Sequence, residues 1–323
     1  MMKSAIAVAG LALALLTAPA ANAQSSTYPN RTIKIIVGFA AGGGTDIVAR
    51  LVAQRLQEAF GQTVIVENRP GASGMLGPDI AAKSTPDGYT LLFGATGVMA
   101  VSPAVYSKMP YAPLKDFVPV SQMVKYPLIM IVNEKHPANT LQEFISWAKA
   151  NPDKVNYAST SAVFTLSTEL FKQKTGTPGQ MIPFKSSNES VTNVVGNQVT
   201  FAMAEPPPIV PQVTSGRARA LAVASPTRLP ELPNVPTMQE AGVDMNVQLW
   251  LGLFAPAGTP PEIVAKLEAE CQRMARLPEF KARLRTMSTD AVGGTSAEFF
   301  QMIDGEIKMW SEVAKKANIK FEQ

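Results

Sequence analysis

The chain has one cysteine and one histidine in 323 residues. The lone Cys271 excludes an intramolecular disulfide. The lone His136 leaves any Ser-His-Asp or Cys-His machine a single possible imidazole, and neither a nucleophile elbow nor a matching cysteine motif accompanies it. No His, Cys, Asp and Glu cluster has metal-ligand spacing, so no metal site and no cofactor is expected. These absences argue against an enzyme and leave no catalytic residue to nominate. The 29 Lys and Arg and 25 Asp and Glu residues are scattered, and the formal net charge is only +4. Without a basic run or an aromatic-interleaved basic patch, no nucleic-acid partner is expected. After the N-terminal segment, no apolar run reaches the roughly 20 residues that span a bilayer.

What is present begins with an export signal. Lys3 precedes the apolar run Ala5 to Ala21, and Ala21-Asn22-Ala23 has the small-x-small pattern of a cleavage site. Residues 1–23 therefore read as a signal peptide, and residues 24–323 as a soluble exported chain. That length exceeds what a single core usually supports, so two lobes are expected.

The most informative stretch runs from Arg31 to Asp46, RTIKIIVGFAAGGGTD: an apolar strand, three consecutive glycines, then an amphipathic helix. Glycine permits positive φ and brings a ligand close to peptide N–H groups. A helix beginning at Thr45 or Asp46 adds unpaired donors and the positive end of its dipole, to which a carboxylate or phosphate is suited. Nucleotide fingerprints fail here. Gly44 is followed by Thr45-Asp46 where a Walker A loop needs Lys-Ser/Thr, and Ile47 stands where a dinucleotide loop needs its third glycine. Two readings stay open from the loop alone, an anion site and an ordinary strand-to-helix turn. Asp46 itself reads as a residue that caps the first turn.

Strand-like and helix-like segments alternate almost to the end, the pattern of an α/β chain with largely parallel sheets. Ser/Thr followed three residues later by Glu marks helix starts at Thr140/Glu143, Thr237/Glu240, Thr259/Glu262 and Thr295/Glu298. Strands over 118–124 and 127–132 meet at Lys125-Tyr126, a candidate hinge, and 247–254 is long enough to cross back. The expected architecture is thus a two-lobed clamp with two crossing segments: lobe 1 from 24–124 plus 253–323, lobe 2 from 125–252. Ligands of open α/β sheets bind beyond the carboxyl ends of strands. That rule nominates the loops after strands, including Ala95 and Thr96.

The succession Gly38-Phe39-Ala40-Ala41-Gly42-Gly43-Gly44-Thr45-Asp46, Val66-Glu67-Asn68-Arg69-Pro70-Gly71-Ala72 and Pro86-Asp87-Gly88-Tyr89-Thr90-Leu91-Leu92 resembles the Bug family. These are the TctC-type periplasmic receptors of tripartite tricarboxylate transporters. The likeness continues through Asn156-Tyr157-Ala158-Ser159, Arg219-Ala220-Leu221-Ala222-Val223, Leu232-Pro233-Asn234-Val235-Pro236-Thr237 and Gly252-Leu253-Phe254-Ala255-Pro256-Ala257-Gly258-Thr259-Pro260. It covers essentially the whole exported chain. The resemblance implies a type II-like periplasmic binding protein of Venus-flytrap form, a monomer that closes over a small carboxylate and delivers it to an inner-membrane permease. It further implies that the loop of Phe39, Ala40, Ala41, Gly43 and Gly44 holds a ligand carboxylate, partly through water. The loop matching Ser159 to Thr165 faces it from the other lobe.

Departures from the family pattern bear on specificity. Ala41 stands at a usual proline, the second loop lacks its usual glycines and histidine, and Ala204 replaces a common aspartate with Glu205 beside it. Read physically, Ser159, Thr160, Ser161 and Thr165 offer hydroxyl donors beside apolar surface from Phe164 and Met203. With alanine at the expected carboxylate position, amino-acid ligands lose ground to organic acids with an apolar or aromatic body, including dicarboxylates. Glu205 either contacts a ligand hydroxyl or faces solvent, and Lys185 either adds a positive charge or is solvated. Two other classes remain open: an exported enzyme using Glu205 as a base, and a sensor feeding a signalling partner. A Gly43→Val exchange is expected to cripple binding and spare the fold, checked by ligand titration of the folded variant.

Overall fold

The computed structural model describes residues 28–184 and 186–321, so the segment 1–23 expected to be a signal peptide, and Lys185, lie outside the described residues. The first strands are β1 Ile33–Val37, β2 Val64–Asn68, β3 Thr90–Ala95, β4 Phe117–Pro127 and β5 Ile129–Asn133. They are followed by β6 Asn156–Ser159, β7 Gln180–Pro183, β8 Phe201–Ala204, β9 Ala218–Val223, β10 Gln248–Pro256 and β11 Asp290–Ala291. They form two sheets, of order β11-β4-β10-β3-β1-β2 and β7-β6-β8-β5-β9. The chain is a two-lobed α/β protein.

The sheets are mixed, where the alternating pattern predicts largely parallel ones. β1 pairs in parallel with β2 and β3, and β6 in parallel with β7 and β8. The strands next to the lobe junction break the pattern: β10 runs antiparallel to β3 and β4, and β5 antiparallel to β8 and β9. A chain that leaves one sheet and later returns must reverse direction beside its outgoing strand. β4 continues past the expected break at Lys125-Tyr126, because Tyr126 and Pro127 still pair with Leu249 and Gln248. The chain passes between sheets at Leu128. It comes back at Val247, whose N–H donates to Ala224 O at 3.1 Å, while Ala224 N–H donates to Leu128 O at 2.8 Å. One residue after β9 thus ties both crossing segments together.

Helix boundaries follow local chemistry with instructive exceptions. The helix Gly44–Phe60 ends where Gly61 enters the left-handed region at φ +64° and donates to Gln57 O. Thr295 and Glu298 form the full reciprocal capping box of the helix Ser296–Ala317. Thr140 Oγ1 accepts from Glu143 N at the head of Leu141–Ala150. Thr237 and Glu240 make both reciprocal bonds, yet no helix follows, because Ala241, Gly242 and Val243 close a turn instead. Thr259 Oγ1 donates back to Pro256 O, and the helix Pro261–Arg276 starts after Pro260. Beyond β10 the chain is not wholly helical, since β11 adds a short edge strand to β4.

A single large core joins the lobes. Leu92 and Phe254 of the six-stranded sheet share it with Met130 and Phe201 of the other. The helix Ala162–Thr175 reaches across to Ser296–Ala317, where Gln173 Nε2 donates to Val313 O at 3.1 Å.

Under this core Glu306 receives the indole N–H of Trp250 at 2.8 Å. Burial pushes its carboxyl up to about 7, with the Trp250 bond opposing. The folded state therefore holds this proton more tightly than the unfolded chain does. The resulting stabilisation is complete below the ordinary glutamate range and is lost as pH rises through about 7. Denaturant unfolding at pH 5 and pH 8 should differ by about 1–2 kcal/mol from this group, and Glu306→Gln should remove that difference.

Candidate functional site

A cavity of about 650 Å³ lies where loops of the two sheets meet. Its walls come from residues at and after strand ends: Gly38 to Ala40 after β1, Pro70, Gly71, Ser73 and Gly74 after β2, Ala95 to Val98 at and after β3, Ser159 to Ser161 at and after β6, and Glu205 after β8. Strand carboxyl ends position the site, as open α/β sheets require.

The glycine loop is held by a buried charge. Asp46 is 2% exposed, and its carboxylate accepts from Gly42 N at 2.9 Å, Arg50 Nε at 3.0 Å and Asn68 Nδ2 at 2.9 Å. Asn68 Nδ2 also donates to Phe39 O at 3.0 Å, so one amide anchors both ends of the loop. Burial acts to raise the Asp46 pKa, but the bonds from Arg50, Gly42 and Asn68 outweigh it and hold the carboxyl below its ordinary value. Asp46 thus ties the loop rather than the helix cap: it takes up the Gly42 donor and its charge is offset by Arg50, while the first-turn N–H groups of the helix have no intrahelical partners. Thr45 in that turn lines the cavity.

The second lobe contributes a matching end. Ser161 stands at the N-cap position of the helix Ala162–Thr175 without a side-chain cap bond, and Ala162, Val163, Phe164 and Thr165 all line the cavity. Two helix N-termini, one per lobe, therefore meet at one space. The hydroxyls are less available than the sequence predicts. Ser159 Oγ and Thr165 Oγ1 lie 2.7 Å apart, and each reaches Ser161 O at 3.2 Å. Buried hydroxyls satisfy themselves locally, which leaves Thr160 and Ser161 as the side chains free to turn inward. Thr96 Oγ1 is likewise committed, accepting from Trp250 N at 2.7 Å and donating to Trp250 O at 3.2 Å.

Of the nominated residues, Phe39, Ala40, Ala95, Thr96, Ser159, Thr160, Ser161, Phe164, Thr165 and Glu205 line the cavity. Ala41, Gly43 and Gly44 do not, and they are exposed. Ala204 is also off the cavity, buried in the second lobe's smaller core, and Met203 is buried in the large one. The reason is strand alternation: in β8, Phe201 and Met203 face one core while Ala202 and Ala204 face the other. Glu205, just past the strand, is the residue released toward the cleft.

Glu205 accepts from Ser187 Oγ at 3.0 Å. Burial raises its carboxyl above the usual range, opposed by its own N–H and by Ser187. Among the described lining residues there is no lysine, arginine or histidine. His136 is elsewhere, its ring 4.5 Å from that of Trp147 with its pKa lowered by burial and by Arg219. Cys271 is buried in the helix Pro261–Arg276, and among the described residues no metal-ligating cluster occurs. Sequence reasoning missed Tyr106, Tyr126, Phe184 and Phe321 as lining residues. Tyr126 and Phe184 were findable from strand ends, since Tyr126 is the penultimate residue of β4 and Phe184 follows β7. Phe321 had no local signal; it arrives by donating its N–H to Val105 O at 2.8 Å.

Residues 48–319 match the family described as tripartite tricarboxylate transporter family receptor. Protein BugT of Bordetella pertussis is 35% identical over 324 residues, covering 99% of each chain. Among solved structures, Rpa4515 of R. palustris with adipate is 33% identical at a TM-score of 0.81, covering 92% of this chain and 100% of that one. MatC from Rhodopseudomonas palustris with bound malate is 32% identical at 0.77, covering 88% and 99%.

The glycines that shape the loop are not the exposed ones. A Cβ on Gly77 would sit 2.6 Å from Gly38 Cα, and one on Gly74, at φ +92°, would sit 2.8 Å from the Phe39 ring. Gly43 has an extended φ of −76° and only Ala40 O nearby, at 3.5 Å, so a side chain there meets no steric obstacle within the fold, and the expected effect of Gly43→Val falls on ligand binding alone. Gly77→Ala should cost about 1–3 kcal/mol by overpacking. Gly43→Ala should stay within about 0.5 kcal/mol. Denaturant unfolding of both variants checks the contrast, and equal losses would refute it.

Proposed function

Because this chain belongs to the tripartite tricarboxylate transporter receptor (TctC) family, we propose that it captures a small organic carboxylate between its lobes. It then delivers that cargo to an inner-membrane permease of the tripartite tricarboxylate type. It works in the periplasm after loss of residues 1–23, as a monomer, and returns its ligand unchanged. Lobe 1 comprises the six-stranded sheet with its helices and lobe 2 the five-stranded sheet, with the hinge at Leu128 and Val247.

The observation that carries this reading is the pair of helix N-termini, starting at Gly44 and Ala162, whose first turns bring Thr45 and Ala162 to the lining of one cavity. Such ends offer oriented N–H donors and dipole charge to an anion without a basic side chain. Three charge-assisted hydrogen bonds at roughly 1.5–3 kcal/mol each are comparable with the approximately 8 kcal/mol of micromolar binding. The adipate and malate carried by the two R. palustris relatives belong to the same chemical class. An enzyme using Glu205 as base has less support, since the described cavity wall gives that residue no basic or nucleophilic partner beyond serine, threonine and tyrosine hydroxyls.

Native mass spectrometry of the purified protein should show a bound small acid, released intact on denaturation. Asp46→Ala, which unties the glycine loop, should weaken carboxylate binding about tenfold in calorimetry while the protein stays folded. Chemical conversion of the bound acid would overturn the receptor reading.

A further inference from the structure

The second-lobe end of the cavity has a chemistry that an anion does not use. Glu205 is the N-cap of the helix Pro206–Thr214, and its side chain lines the cavity. A helix start normally presents first-turn N–H groups to a negative ligand. Here the first three helical positions are Pro206, Pro207 and Pro208, and proline has no N–H to give. The donors are absent and the capping position carries a carboxylate. By contrast, the helices starting at Gly44 and Ala162 have no proline in the first turn and keep their donors.

The surroundings repeat this inversion. Glu205 contributes the only formally charged side chain among the described lining residues. A second ligand carboxylate placed there would face a like charge, with no cation among the described lining residues to offset it. Tyr126, Phe164 and Phe184 line the same cavity, and aromatic faces attract ammonium groups. Ser187 holds one oxygen of Glu205 in place at 3.0 Å.

We propose that Glu205 and the proline-blocked helix start form a cation subsite, which receives a protonated amine at the end of the ligand remote from its carboxylate. The cargo is then a zwitterion with separated charges, bound by backbone donors at one end and by Glu205 at the other. This rests on the carboxylate reading above and narrows it away from dicarboxylates. It also reverses the sequence-based expectation against amino acids, which assumed that Ala204 occupies the position facing the ligand. An ammonium beside Glu205 would draw its raised pKa back down.

Calorimetric titration with matched sets of straight-chain acids tests this: an ω-amino acid, the plain monocarboxylate and the α,ω-dicarboxylate at each length from three to eight carbons. At the best length the amino acid should bind at least about tenfold tighter than either analogue. Glu205→Gln should cost the amino acid at least about tenfold and leave the monocarboxylate within about twofold. Pro207→Ala, which restores one N–H, should improve the dicarboxylate severalfold. Ser187→Ala serves as a second probe of the same subsite, with a smaller loss for the amino acid alone, and thermal unfolding confirms that each variant is folded. A wild-type preference for the dicarboxylate, or a folded Glu205→Gln protein with unchanged amino-acid affinity, overturns the cation subsite. Binding of the plain acids without a gain from nitrogen overturns it while sparing the carboxylate reading. Binding of none of the three classes overturns both.

Discussion

The antiparallel pairing of β10 with β4 is the constraint from which the rest of the structure follows. Nine residues of β10 pair with β4 from Gln248↔Pro127 to Pro256↔Phe117, through two register shifts. Because the outgoing and returning chains lie side by side, they enter the second sheet at adjacent points, and Ala224 bonds to both. The loops after β1, β2 and β3 are thereby set opposite those after β6 and β8. Trp250, the third residue of β10, binds the Thr96 hydroxyl through its backbone and Glu306 through its indole, which carries the placement of that strand into the cavity wall.

Within that frame, charge is managed by separation. Asp46 and Glu205 are both acidic residues at helix starts near the cleft, yet their surroundings differ. Asp46 is turned away from the ligand space and saturated by Gly42, Arg50 and Asn68, which lowers its pKa. Glu205 has one side-chain hydroxyl donor, and burial raises its pKa. The first carboxylate is structural and shapes a donor-rich loop. The second lines the cavity and has a single side-chain donor, Ser187.

Much of this was legible in the residues. The strand-glycine-helix stretch, the two lobes and the site at strand ends all follow from periodicity and from the known behaviour of α/β sheets. What could not be read depends on where elements stop. Whether Ala204 or Glu205 faces the cleft is decided by β8 ending at Ala204, a one-residue matter that pattern alone does not resolve. The Thr237/Glu240 pair carries a helix-start signature onto a bare turn, because the segment after it lacks the length to propagate. Ser186 does cap Ser187–Val195 by accepting from Glu189 N, although the polar sequence there concealed an amphipathic helix. Phe321 reaches the cavity through a contact more than two hundred residues distant from Val105, beyond any local rule.

The three prolines after Glu205 also set an asymmetry in how this pocket can change over generations. A single substitution at Glu205 would discharge that wall. Regaining a full set of backbone donors would require replacing Pro206, Pro207 and Pro208 separately, each with a small gain on its own. Discharging this wall is therefore a short step, and turning it into an anion-binding wall is a long one.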